Sequence, residues 1–143
     1  MIGAVQTRLE ARVPALTGRV QGAADFSDLM RRNQLPQVTP AAHVLGLGMT
    51  GGRGESASGL YTQMFDQVIA VLLTIRSHSA TGDRVLDDVE ALIRAVIEAL
   101  VGWAPTSETG VFRLVRGNLV SMQAGTLVYQ LDFTITDQLR ITP

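Results

Sequence analysis

Over residues 126–136 the apolar side chains fall at every second position. Leu127, Tyr129, Leu131, Phe133 and Ile135 alternate with Gln130, Asp132, Thr134 and Thr136. That period of two places one set on each face of a β-strand, with the apolar set buried. Such a strand constrains the rest of the chain. It needs sheet neighbours along both edges and something apolar laid over one face. Residues 83–101 meet the second demand. Val85, Val89, Leu92, Val96 and Leu100 repeat at helical spacing, Leu86, Ile93 and Ile97 widen the stripe, and Asp87, Asp88, Glu90, Arg94 and Glu98 lie mostly elsewhere. Gly102 suits the left-handed position after a helix, and Pro105 prevents its continuation.

The remaining elements follow from the same reasoning. Residues 2–13 place Ile2, Val5, Leu9 and Val13 on one side of a short helix ended by Pro14. Residues 14–24 read as irregular, and 25–33 as one or two helical turns capped by Asp25 or Ser27. Pro36 and Pro40 force extended chain into a strand over 42–47. Residues 60–77 are expected to form a long strand; a buried helix is the competing reading, and the β-branched content favours the strand. Tyr61, Gln63, Phe65 and Gln67 face one way there and Met64 and Asp66 the other, and both faces become apolar from Val68 to Leu73. After the long helix, strands are expected over 111–115 and 119–122, separated by a tight turn at Gly117-Asn118. A second turn at Ala124-Gly125 leads to the strand over 126–136. The expected fold is α+β: a mixed, mostly antiparallel sheet with two helices packed on it and a long glycine-rich hairpin loop. All of it lies in one domain over 1–143, with residues 48–60 as a flexible arm.

Leading into that loop, "GLGMTG" at residues 46–51 matches the dinucleotide fingerprint G-x-G-x-x-G letter for letter. The fingerprint works because a helix opens inside it and its N-terminal amides hold the pyrophosphate. Residues 52–59 carry no apolar side chain larger than alanine, so they cannot bury a helical face. A hairpin loop is the better reading. Between Gly48 and Gly59, Met49 is the one large apolar residue and Arg53 and Glu55 are the only charges. These three are the expected contacts once the loop orders on a neighbour.

No other stretch carries recognisable chemistry. His43 and His78 belong to no nucleophile motif, with Ser77 and Ser79 beside His78 as turn residues. Asp87, Asp88 and Glu90 read as a solvated helix face, Asp66 and Asp132 as exposed or inter-subunit positions, and Trp103 as a cover for one end of the core. No spacing of histidine and carboxylate suits a metal, and no cofactor is expected. The chain has no cysteine, which excludes disulfides and thiolate chemistry. Its 12 basic residues are all arginine and its net charge is −1, which argues against a general nucleic-acid binder. Arg8, Glu10 and Arg12 interrupt any signal-peptide core, and the longest apolar run is far short of a membrane span. The chain is expected to be soluble, to stay in the cell that makes it, and not to be an enzyme.

Three stretches together resemble the tail terminator proteins of long-tailed bacteriophages and prophages. "LPQVTPAAHVLGLG" (35–48) resembles their Pro-x-x-x-Pro-Ala-x-x-Val lead into the first strand. "ALVGWAP" (99–105) resembles their Leu-x-Gly-Trp-x-Pro after the long helix. "RLVRGNLVSMQAGTLVYQLDFTITDQLR" (113–140) resembles their closing strands. His43 departs from the aromatic or aliphatic residue expected there. The resemblance implies a non-enzymatic virion protein, assembled in the host cytoplasm. It implies a homo-hexameric ring that caps the tail tube when growth ends and offers a surface for head attachment. The implied partners are other copies of the chain, the tail tube protein and the head–tail connector. No membrane and no sequence-specific nucleic acid is implied, although DNA passes through the ring. Two other readings stay open at this point: another head–tail joining protein, a connector or stopper, and a small ligand-binding domain using the glycine-rich loop.

Overall fold

A computed structural model describes residues 1–76, 83–107, 110–123 and 125–143. Among them are three α-helices and five strands: α1 (Ile2–Arg12), β1 (Val20–Gln21), α2 (Ala23–Arg31), β2 (Ala41–Ala57), β3 (Leu60–Arg76), α3 (Asp83–Leu100), β4 (Arg113–Gln123) and β5 (Thr126–Ile141). The sheet order is β1-β2-β3-β5-β4. Only β1 and β2 run parallel, so the sheet is mixed and mostly antiparallel, and the class is α+β.

Register decides which side chains share a face. Val44 stands opposite Val71, and Val71 opposite Leu131. Alternation then puts Ala42 and Val44, Ile69 to Ile75 at odd numbers, and Leu127 to Ile135 at odd numbers on one side. These residues share a core cluster with Val5 and Leu9 of α1 and Val89, Leu92, Val96 and Leu100 of α3. The helix stripe thus lands on the strand stripe. Burying each such aliphatic side chain contributes about 1.5–3 kcal/mol, far more than propensity gives an isolated helix. Of the expected α3 stripe, Val85 and Leu86 lie outside the described side chains, as His78, Ser77 and Ser79 lie outside the described residues.

The helix count departs from the expected two. The third, α2, starts at Ala23 with Gly22 at its N-cap, so Asp25 and Ser27 lie inside the helix rather than capping it. Asp25 falls in the first turn, where its charge complements the helix dipole. This helix lies against the opposite sheet face: the Phe26 ring meets the His43 ring with centroids 5.5 Å apart, and His43 points away from the core cluster. His43 is 1% exposed, and neither ring nitrogen has a hydrogen-bond partner among the described residues. Burial pushes its pKa below the ordinary 6.5, against a smaller upward pull from Asp25. The folded state therefore binds this proton less readily than the unfolded chain. Stability from this site is complete above the unfolded pKa and falls as pH drops below it. His43→Leu is expected to stabilise the fold by about 1–3 kcal/mol, and by more at pH 5.5 than at pH 7.5. Urea midpoints at the two pH values check this; a gain that does not grow on acidification would contradict it.

The expected loop over 48–60 is not a loop. Strand β2 continues through it, paired with β3 from Ala41↔Thr74 to Ala57↔Leu60, with register shifts at Gly46/Gly48 and Gly51/Gly54. Only Ser58 and Gly59 turn the chain, with φ of 52° and 79°, the signs of a two-residue hairpin turn. The expected turn at Gly117-Asn118 is likewise strand, since β4 runs unbroken from Arg113 to Gln123. One physical reason covers both differences. The chain has two tyrosines, and each lies over a strand glycine: a Cβ on Gly54 would overlap the Tyr61 hydroxyl, and one on Gly117 would come within 2.9 Å of the Tyr129 hydroxyl. The aromatic ring covers the backbone that glycine leaves bare. Gly117→Val should displace Tyr129 and cost about 1–2 kcal/mol in a urea melt. An unchanged midpoint would show that the ring yields freely.

Candidate assembly surface

The helices cover only part of the sheet. Beyond Leu45 on β2, and before Val68 on β3, no residue is buried, and β5 is exposed from Gln138 onward. Residues 46–68 therefore form a two-stranded arm, with the end of β5 alongside β3. At about 3.3 Å per residue the twelve β2 residues from Gly46 span roughly 35–40 Å. The arm keeps its shape through its ladder and through cross-strand side chains. Gln63 Nε2 donates to the Gly52 carbonyl at 2.9 Å, and the Tyr61 hydroxyl donates to Gln63 Oε1 at 3.1 Å.

The three contact residues expected from sequence all sit on this arm. Met49 is 70% exposed and, paired with Gln67, faces the helix side of the sheet. Arg53 lies in the second bulge, and Glu55 stands opposite Thr62 on the other face. Neither charge is in any salt bridge among the described residues.

Sequence alone did not single out β4. Leu114, Val115, Leu119, Val120 and Met122 are 42–59% exposed on this one edge strand. Leu114, Leu119 and Met122 pair with Phe133, Tyr129 and Leu127 and so face the helix side. Leu119 stands opposite Tyr129, which lines a groove with Ile93 and Ile97 of α3. The signal was present as the adjacent apolar pairs Leu114-Val115 and Leu119-Val120, because a strand buried on one face has no use for consecutive apolar residues.

The opposite face of the sheet carries two carboxylates that are bonded within the chain. Asp132 is 2% exposed and accepts from Arg116 Nε at 2.9 Å and Gln130 Nε2 at 2.8 Å. Asp66 accepts from the Thr136 hydroxyl at 2.6 Å. Asp132 is therefore buried, contrary to the exposed position expected of it, while Asp66 is half-buried. "GLGMTG" belongs to β2, with Gly46 paired to Ile69 and Gly51 to Phe65. No helix opens in it, so it lacks the amide cradle that the nucleotide fingerprint requires. No helix among the described residues is long and apolar enough to cross a membrane.

A hydrophobic edge strand next to a projecting arm is the surface of a chain that assembles. The comparisons agree. A family model described as phage tail terminator protein matches residues 2–143. A chain from the virion of a native gene transfer agent (GTA) particle has the same fold. It superposes with a TM-score of 0.56 at 18% sequence identity, over 97% of this chain and 95% of that one. No curated protein matches in sequence. The structural likeness speaks for the fold alone. The family rests on the sequence match across all but the first residue, and the chain belongs to the phage tail terminators, structural proteins of the virion and not enzymes.

Proposed function

We propose that residues 1–143 act as one domain that forms a homo-hexameric ring, caps the tail tube when growth ends, and presents the head–tail connector with its docking surface. The observation that carries this reading is the apolar surface left open on β4, together with the arm of β2 and β3. Five large apolar side chains exposed on one open edge strand are what a chain that stayed alone in water would avoid. Two different surfaces of one chain joining head to tail generate a ring when the rotation closes. The sixfold count comes from the family resemblance. Met49, Arg53 and Glu55 serve as arm contacts to the neighbouring subunit or to the tube. DNA passes through the central opening without sequence-specific contact.

Native mass spectrometry over a range of concentrations tests the ring. The expected species are the 15.3 kDa monomer and a closed hexamer of that chain. Monomer at every concentration, with tube protein present as well as absent, would overturn the proposal.

A further inference from the structure

The sheet has two open edges. Among the described residues, strand β4 pairs with β5 alone, and β2 beyond His43 pairs with β3 alone, because β1 reaches only Ala42 and His43. Each edge carries a row of backbone N–H and C=O groups with no strand beside it, the template for pairing with another chain. Neither β2 nor β4 contains the lysine or proline that commonly blunts an edge, although each carries two bulges. We propose that β4 of one copy pairs antiparallel with the outer edge of β2 of the next copy, so that one sheet continues from subunit to subunit. This inference rests on the ring reading and names the surfaces that form it.

Three features fit the two edges to each other. The first is direction. Antiparallel steps from β2 to β3, to β5 and to β4 leave β2 and β4 running in opposite senses. Rotation about an axis along the strands then brings β2 of the next copy antiparallel to β4, with the helices of both copies on the same side. The second is shape. In β2 the register shifts begin after Gly46 and after Gly51; in β4 they begin after Leu114 and after Leu119. Both edges therefore bend twice at the same five-residue spacing, and bulges of this kind set local twist. The third is side-chain chemistry. Met49 faces the helix side of β2 and Leu114, Leu119 and Met122 the helix side of β4, so pairing extends a single apolar strip across the junction.

The area involved explains why closure matters. About 15 residues a side, at the density of standard interfaces, bury on the order of 1,000 Å² in total, the lower bound for a specific contact. A dimer has one such contact, whereas every copy in a ring has two. Closed rings and monomers should therefore dominate over open intermediates.

Disulfide mapping tests the pairing, and the absence of native cysteine makes it clean. Met49→Cys is combined in turn with Leu114→Cys, Leu119→Cys and Met122→Cys, and each double variant is oxidised under conditions where native mass spectrometry finds rings. Within one chain β2 and β4 are three strand spacings apart, about 14 Å, too far for a disulfide. Any link must therefore join two copies. The expected result is that at least one pair gives a denaturing-gel ladder ending at the ring size. A control pair of Thr7→Cys on α1 with Leu119→Cys should stay monomeric. Rings that form without a link in any of the three pairs would overturn the edge pairing and leave the ring standing. A control that links as well as the test pairs would also overturn it. Failure to assemble under any condition would remove the ring and the pairing together.

Discussion

Phe112→Ala is expected to cost about 3–5 kcal/mol, the largest loss from any single truncation considered. Phe112 is fully buried, and its backbone ties the end of α3 to the sheet. Its N–H donates to the Trp103 carbonyl at 3.0 Å, and its carbonyl accepts from the Gly102 N–H at 2.9 Å. Gly102 reaches this position with a φ of +80°, in the left-handed region that glycine enters at no steric cost. The Phe112 ring stacks on Trp103, centroids 6.0 Å apart at 21°, and the Arg8 guanidinium stands 5.1 Å from the centre of the Trp103 ring. Arg8 also donates from Nε to the Ala99 carbonyl at 2.9 Å, so α1, α3 and the start of β4 meet at one junction. Removing the phenyl ring leaves a cavity at the centre of that junction. Against a total stability of about 5–15 kcal/mol, the loss should lower the melting temperature by roughly 10–20 °C. A fall of less than about 3 °C would show that the junction repacks without it.

The opposite pattern is expected when residues 52–64 are replaced by an Asn-Gly turn. This shortens the arm to the Gly51↔Phe65 pair, and a two-residue turn can close an antiparallel pair there. None of the removed residues is buried, so the melting temperature should move by less than about 4 °C, or about 1 kcal/mol. Assembly should be lost, because Arg53, Glu55 and much of the outer edge of β2 go with the arm. Thermal melts and native mass spectra of the same sample separate the two effects. An unfolded protein would place the arm in the folding core. A normal ring would remove the arm from assembly.

What local pattern decides was legible in the sequence. The alternation over 126–136 and the helical stripe over 83–101 appear as β5 and α3, facing each other across one core. Gly102 adopts the positive φ expected of a residue that ends a helix. The misread segments were those whose conformation is decided across the sheet. Five glycines from Gly46 to Gly54 look like a loop when judged by neighbours in sequence. In the fold their backbone is held by β3, and Tyr61, seven residues beyond Gly54, fills the space that the missing side chain leaves. Gly117 and Tyr129 repeat the arrangement twelve residues apart. Ser58-Gly59 did carry a turn signal, but it was submerged in the glycines before it. The start of α2 was missed because Gly22 caps it without a side chain, leaving nothing in the sequence to mark it. The edge role of β4 was hidden for another reason. The pairs Leu114-Val115 and Leu119-Val120 mark it in the sequence, but a strand covered on both faces carries the same pairs, and only the sheet order places β4 at an edge with β5 on one side.

The central claim is that this chain closes the growing end of a tail tube, and images of tube ends test it most directly. Tubes polymerised from purified tube protein would be imaged with and without the chain added during growth. With it, a ring of sixfold symmetry should sit at one end of each tube, and the tubes should stop lengthening. Tubes that keep growing with bare ends, in the presence of chain that is folded and in excess, would contradict the account.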